Sequence, residues 1–522
     1  MNAGEFMLGA DVASDQPALL ESPRLVTYGE LRAATNRWMA ALAQQGAARG
    51  ARCLLIADNS SAWVAAYLAI LKSGLIAVPL STKIEGPQLT EIIASAKPIL
   101  AVISARLWSQ LEQYIPDDCN VVLDEPAAPP DGRAVCVAQF AASPAPPTVG
   151  VDDQRELAAL FFTSGSTGAP RGVMVSHRNL IANTESILAY LNLRHDDRVL
   201  QVLPMHYCFG ASLLHTHLRA GASIVIENNF LFPDRALQTM RATGCTGFAG
   251  VPATYQILLR RSAFSRTAFP QLRYLLQAGG KLSNLFIEEL SLAQPQTQLF
   301  VMYGQTEATA RLSYLPPALL PTKLGSIGRG IPGVTLRVVD DAGLAVAPGA
   351  VGQVLAKGQN IALGYWNAPA ETAEVFREGW LHTGDMATVD SDGFIFIVGR
   401  SKEFLKLGGT RVACQQIEQV VLGFAGTVEA AVVGMPDEFL GEAAALFIAH
   451  PQGKAIQAEL VQFLCDHLPP TYRPRKTIFC SDLPLNASGK TDRAALRTLL
   501  VTSLEDIVRV RLADRTIATL SV

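Results

Sequence analysis

The sequence predicts an α/β protein built from more than one layered domain. Two observations carry that expectation. At 522 residues the chain exceeds what one hydrophobic core can serve, because cores stop growing beyond roughly 250–300 residues. Short apolar runs also alternate with helical patterns. Residues 53–57, 62–71 and 76–80 read as strand, helix and strand, the rhythm of a sheet with helices laid on its faces. An apolar content of 49% supplies the buried surface such layers need.

The later elements follow in order. Residues 125–147 are rich in Pro and Ala, show little periodicity and read as a surface connection. The apolar run 157–162 leads into Thr163-Ser164-Gly165-Ser166-Thr167-Gly168-Ala169-Pro170-Arg171-Gly172, and residues 173–175 are apolar again. The loop therefore joins two strands. Its glycines let backbone N–H groups approach phosphate oxygens, its hydroxyls add donors, and Arg171 adds a cation. A Walker A loop would need Gly-x-x-x-x-Gly-Lys and a following helix, which this segment lacks. Ser176 is expected to N-cap a helix with Leu180, Thr184, Ile187, Leu188 and Leu191 on one face. Residues 394–398 read as a last strand, closing at Gly399-Arg400 before the charged Ser401-Lys402-Glu403. The boundary is placed there, giving domains 1–400 and 401–522, the second a smaller α+β module whose patterned part ends near residue 500.

Charge narrows the classes of partner. Lys plus Arg total 43 against 46 Asp plus Glu, with no block of like charge, so nucleic acid and membrane surfaces are unsupported. The eight cysteines form no Cys-x-x-Cys pair and read as free thiols of a reducing compartment. Residues 1–15 include Glu5 and Asp11 and show no secretory signal. The most membrane-like stretch, 62–80, is broken by Lys72, Gly74 and Pro79, so no membrane span is expected. A cytoplasmic protein is the expectation.

Motifs further along the chain lead from composition to chemistry. The 163–172 loop, Tyr303-Gly304-Gln305-Thr306-Glu307, the run from Gly384-Asp385 to Gly399-Arg400, Lys406-Leu407-Gly408-Gly409 and Asn486-Ala487-Ser488-Gly489-Lys490 together resemble the adenylate-forming superfamily. That superfamily comprises acyl-CoA synthetases, peptide-synthetase adenylation domains and luciferases. Val26-Thr27-Tyr28-Gly29-Glu30-Leu31 and Leu71-Lys72-Ser73-Gly74 resemble its early motifs, so the likeness covers nearly the whole chain. It is nearest the acyl- or aryl-CoA synthetase branch. The resemblance implies a large multi-layer N-terminal domain of mixed sheets and helices and a small mobile α+β C-terminal domain.

It also implies roles. Thr163, Ser164, Gly165, Ser166, Thr167, Gly168 and Arg171 would hold the β- and γ-phosphates of ATP. Glu307 would ligate Mg²⁺, Thr306 would donate to the α-phosphate, and Tyr303, with Gly304 and Gln305, would receive adenine. Asp385 would accept from both ribose hydroxyls beside Arg400. Lys490 would bridge carboxylate and phosphate in the adenylation step. Lys402 would be the hinge that exchanges Lys490 for the acceptor-side loop of Lys406, Gly408 and Gly409. Tyr207, Phe209, Gly210, Phe248, Gly250 and Gly279 are the expected acyl pocket, with core packing an equal reading for the two phenylalanines. Gly210 stands where amino-acid-activating relatives carry an Asp, and Tyr207 where acyl-CoA synthetases usually carry His. The expected reaction is ATP-dependent activation of a small carboxylic acid with release of pyrophosphate, then acyl transfer to coenzyme A. The alternatives are the phosphopantetheine of a separate acyl carrier protein or an amine, and, from another class, a non-catalytic nucleotide binder of the same fold.

Overall fold

The computed structural model describes residues 1–9, 11–46, 48–125, 134–142, 146–164, 170–400, 404–407, 410–437, 441–485 and 491–501, and among these the strands form four sheets. The expected strand, helix and strand appear as Arg52–Ile56, Ser61–Lys72 and Ile76–Leu80. Ser60 starts the helix by accepting from the Trp63 N–H, and residues 63–71 are all buried. A helix apolar on every side belongs inside a layered core, and this one packs between its sheet and the helix Tyr28–Gln44. That second helix begins with a reciprocal cap between Thr27 and Glu30, the physical content of the early Thr-Tyr-Gly-Glu motif.

The first sheet runs Ala134–Cys136, Asn120–Leu123, Leu100–Ile103, Arg52–Ile56, Ile76–Leu80, Leu157–Ser164, Pro170–Ser176. Its neighbours are parallel except for the last pair, an antiparallel hairpin. The phosphate-type loop thus joins two strands, as expected, although residues 165–169 and the Ser164 side chain lie outside those described. Ser176 caps the helix His177–Leu191 through a reciprocal bond pair with Asn179, and the helix ends at Asn192 in the left-handed region at φ 49. The 125–147 connection needs correction. It contains the edge strand Ala134–Cys136 and the turn Val137–Gln139, with Ala134, Cys136 and Val137 buried. Three residues are too few for periodicity to reveal, and the strand exists because Asn120–Leu123 offers it a parallel edge.

The second sheet is parallel through its centre, where Gly247–Gly250, Tyr274–Gln277 and Gln298–Tyr303 lie side by side. A third sheet holds Trp380–Val389 and Ile395–Arg400. All strands of the fourth lie from residue 404 onward, and its two apolar clusters also draw only on residues 405–500. Within it Arg493 pairs with Glu418 at 2.8 Å and donates to the Val432 carbonyl at 2.6 Å. Glu418 also accepts from the Val432 N–H at 2.7 Å. Among the described residues no helix is long and apolar enough to cross a membrane, and all eight cysteines are free.

Because both partners of the Glu418–Arg493 pair are largely shielded, at 11% and 18% side-chain exposure, removing one leaves the other's charge poorly compensated. Glu418→Ala is expected to lower the stability of the C-terminal module by about 3 kcal/mol. Denaturant unfolding monitored within that module checks this, and an unchanged midpoint would show that the pair carries no stability.

Candidate active site

Three neighbouring parallel strands end at one place. Val251 follows Gly247–Gly250, Gly279 follows Tyr274–Gln277, and Tyr303 and Gly304 close Gln298–Tyr303; all four line a cleft of about 410 Å³. The carboxyl ends of parallel strands are where open α/β sheets bind ligands. Gly304 is fixed by close approach, since a Cβ there would lie 1.8 Å from the Ala310 carbonyl oxygen.

The third sheet supplies the facing wall. Asp385 and Arg400 are cross-strand partners, and their side chains meet at 3.2 Å. Asp385 is 5% exposed. Its other carboxylate oxygen accepts from the Tyr303 hydroxyl at 2.5 Å, and its backbone N–H donates to Thr383 Oγ1 at 3.1 Å. Burial, then the adjacent carboxylate, holds the Tyr303 phenol far above its ordinary pKa. The phenol stays protonated and donates, leaving the half-buried ring against the cleft.

Near the foot of the hairpin, Thr163 pairs with Arg171 across the strands. The Arg171 fork engages both oxygens of Glu371 at 3.2 Å and lies 5.8 Å from the Tyr365 ring. The Tyr365 hydroxyl donates to Glu307 at 2.8 Å. Burial, followed by the Glu307 charge, pushes the Tyr365 phenol upward, so it serves as a neutral donor. A chain of contacts therefore links the hairpin to the Thr306–Ala308 turn. The Thr306 hydroxyl lies 3.5 Å from Cys208 Sγ, and Gln305 Nε2 is buried without a hydrogen-bond partner. Tyr365 and Glu371 belong to no motif read from the sequence.

The C-terminal module closes the cleft. Gln415, Glu418, Thr491 and Arg493 share its lining with Tyr303 and Asp385, and Arg261 pairs with Asp482 at 2.8 Å across the two parts. Lys406 is exposed and away from this lining; its N–H donates to Glu442 at 2.6 Å. Lys402, Gly408, Gly409 and Lys490 lie outside the described residues, as do Gly165, Ser166, Thr167 and Gly168.

The expected acyl pocket is only partly assembled, and three of its members are corrected. Phe248 is 1% exposed and packs against Phe230 and Tyr255. Gly250 shares its strand face, and a Cβ there would meet Thr254 and Tyr255. Side chains alternate along a strand, and Ala249 takes the opposite face, joining Tyr190, Met302 and Phe209. Gly210 sits in the helix Cys208–Arg219, where a Cβ would lie 2.1 Å from the Pro204 carbonyl oxygen. It is glycine because the chain passes too close for a side chain. Gly279 remains on the cleft, and Phe209 borders the Ala249 side. Tyr207 stacks obliquely on His206 with ring centres 4.4 Å apart. Burial lowers the His206 pKa to about 4, and its Nε2 has no hydrogen-bond partner; the imidazole is neutral at pH 7.

Comparison with known proteins agrees with this layout. A family model described as AMP-binding enzyme matches residues 9–366, and one described as AMP-binding enzyme C-terminal domain matches 416–490. The chain is 29% identical to an indoleacetate–CoA ligase of Aromatoleum aromaticum, covering 91% of this chain and 94% of that protein. It is 31% identical to the fatty acid–[acyl-carrier-protein] ligase ScoC of Streptomyces coeruleorubidus, over 92% of this chain and 93% of the relative. In fold it superposes on the anthranilate CoA ligase AuaEII in complex with anthranoyl-AMP, with a TM-score of 0.87, 24% identity and coverage of 96% and 98%.

Gly210→Ala tests the packing explanation. It should destabilise the protein by about 1–3 kcal/mol while leaving the ratio of rates between different acids unchanged. Unfolding midpoints and an acid panel on the folded fraction measure both; a changed ratio would return Gly210 to the pocket.

Proposed function

The chain belongs to the AMP-binding enzyme family, and on that premise we propose that it joins a carboxylic acid to a thiol using ATP. One carboxylate oxygen attacks the α-phosphorus, the bond to the β-phosphate oxygen breaks, and pyrophosphate leaves an acyl adenylate behind. The thiol sulfur then attacks the acyl carbon. AMP departs with the bridging oxygen, a thioester forms, and the thiol proton passes to solvent. The observation that carries this reading is the convergence of Tyr303, Asp385 and Arg400 with Thr491 on one cleft, since Thr491 directly follows the Gly489-Lys490 pair.

Both reactants are anions, so fixed positive charge and positioning supply most of the rate. Arg171 presents a fork suited to phosphate once it exchanges Glu371 for the nucleotide, with the 163–172 hairpin around the terminal phosphates. The Tyr303 ring offers adenine a flat apolar face. Asp385 accepts from the ribose hydroxyls beside Arg400, Thr306 donates to the α-phosphate, and Lys490 neutralises charge where carboxylate and phosphate meet. Glu307 offers one carboxylate to Mg²⁺, and among the described residues no group of three or more potential metal-binding side chains gathers. That donor set suits a hard ion that keeps water and phosphate oxygens, and when bound it would supply charge neutralisation at the phosphates.

The small domain, residues 401–522, would swing about Lys402 between the two half-reactions and bring Lys406, Gly408 and Gly409 to the acceptor. Coenzyme A is the acceptor favoured here, in line with the name of the indoleacetate–CoA ligase relative. A carrier-protein phosphopantetheine is the second reading, favoured by the likeness to ScoC. Eight free cysteines suit a reducing compartment, and the cytoplasm is the proposed location.

The deciding assay is AMP release over a panel of aliphatic and aryl acids, with coenzyme A, with a phosphopantetheinylated carrier, and with neither. Coenzyme A-dependent turnover is expected; release only with the carrier would favour the second reading. Lys490→Ala should slow acyl-AMP formation by roughly 10²-fold or more and spare consumption of chemically made acyl-AMP. Equal loss in both half-reactions would remove the lysine from the adenylation step.

A further inference from the structure

Among the described residues Arg311 is a buried cation without a countercharge. It is 2% exposed, no carboxylate among the described residues pairs with it, and its Nε has no hydrogen-bond partner. Its carbonyl is pinned by Asn183 at 3.0 Å and Asn360 at 2.8 Å, which fixes where the side chain starts. The guanidinium lies 4.9 Å from the centre of the Phe209 ring. Phe209 is followed in the apolar cluster by Tyr190, Ala249 and Met302, and Tyr190 donates to Met302 Sδ at 3.4 Å. Arg311 also acts on the Tyr190 phenol through its charge and a side-chain hydrogen bond, both opposing the rise that burial causes.

Arginine cannot shed its proton inside a protein, so it cannot escape a buried site by neutralising itself. Removing its charge from water is costly unless an anion or a full set of acceptors replaces the solvent. The Phe209 face and the Tyr190 hydroxyl return part of that cost, while Nε is left without an acceptor. The location is equally specific. Arg311 follows the Thr306–Ala308 turn by three residues, and its aromatic partner Phe209 adjoins Cys208, whose sulfur lies 3.5 Å from the Thr306 hydroxyl. The cation therefore stands on the side of the turn where the Ala249 face of the second sheet supplies an apolar wall.

We propose that Arg311 is the countercharge for a second anionic group on the acid, and that the substrate class is a dicarboxylate, one carboxylate adenylated and the other held by the Arg311 fork. This rests on the acid-activating reading given above and adds the substrate's charge to it. An acid with a neutral far end would leave the guanidinium charge uncompensated and Nε without an acceptor, so discrimination comes from the site's own charge and its unpaired donor. A site built to pair a polar group rejects the analogue lacking it far more strongly than an apolar pocket rejects a missing methylene.

The test is acid-dependent exchange of labelled pyrophosphate into ATP, using matched pairs such as hexanoate and adipate, or benzoate and terephthalate, across a range of lengths. For the wild-type enzyme the best diacid should exceed its monoacid in kcat/KM by roughly a hundredfold. In Arg311→Met that ratio should collapse or invert, and in Arg311→Lys a diacid preference should persist. The wild-type ratio needs no variant, so a misfolded substitution does not shield the inference. A wild-type preference for monoacids overturns it while leaving acid activation intact. An unchanged ratio in folded Arg311→Met overturns it, and so does an ATP KM raised equally for both acids, which would put Arg311 on the phosphates. Exchange with no acid at all would remove the acid-activating reading and this inference together.

Discussion

The hydrogen bond from Tyr303 to Asp385, at 2.5 Å, is the interaction on which the cleft depends. It joins the last central strand of the second sheet to the longest strand of the third, two layers that share a backbone bridge between Gly328 and Ile395 outside their strand ladders. A single oxygen–oxygen contact would be a weak tie in water, but here the carboxylate is 5% exposed, and a hydrogen bond to a shielded charge is worth roughly 1.5–3 kcal/mol. Arg400 engages the other oxygen at 3.2 Å, which keeps the buried carboxylate from standing alone. The consequence is geometric. An aromatic face and a charged acceptor are held across one gap by a bond that also fixes the tyrosine ring.

The buried histidines of the helix Cys208–Arg219 carry no charge near neutral pH. His215 and His217 are buried and lowered to about 3 and about 4 by desolvation, so the interior imidazoles carry hydrogen bonds to Tyr67 and Tyr274 and no charge. Three arginines supply positive charge, each held differently. Arg171 is paired with Glu371, Arg400 with Asp385, and Arg311 rests on a phenylalanine ring. A site meant to gather anions is served well by the planar, bidentate fork of arginine.

Much of this was legible in the sequence wherever the determinant was local. The hairpin, the Ser176 cap and the strand ending at Arg400 were readable because apolar runs, capping side chains and turn residues act within a few positions. What depends on the direction of a side chain was not. Phe248 and Gly250 look like pocket residues until the two-residue period of their strand turns both toward the helix Pro252–Arg261. Gly210 suggests a missing carboxylate until the Pro204 carbonyl is found in the space a side chain would need. Tyr365 and Glu371 reach Glu307 and Arg171 across 58 and 200 residues, and a lone tyrosine or glutamate carries no pattern that announces such a contact. The edge strand Ala134–Cys136 was hidden for a simpler reason, its three-residue length.

The central claim is that the acid attacks the α-phosphorus and that its oxygen stays with AMP. The most direct measurement uses a carboxylic acid labelled with ¹⁸O in both oxygens, a single turnover with ATP and coenzyme A, and mass spectrometry of the products. The account predicts one ¹⁸O in AMP and none in pyrophosphate. Label in inorganic phosphate or pyrophosphate, or unlabelled AMP formed alongside thioester, would contradict it, because the bond made to phosphorus would then lie elsewhere than at the α position.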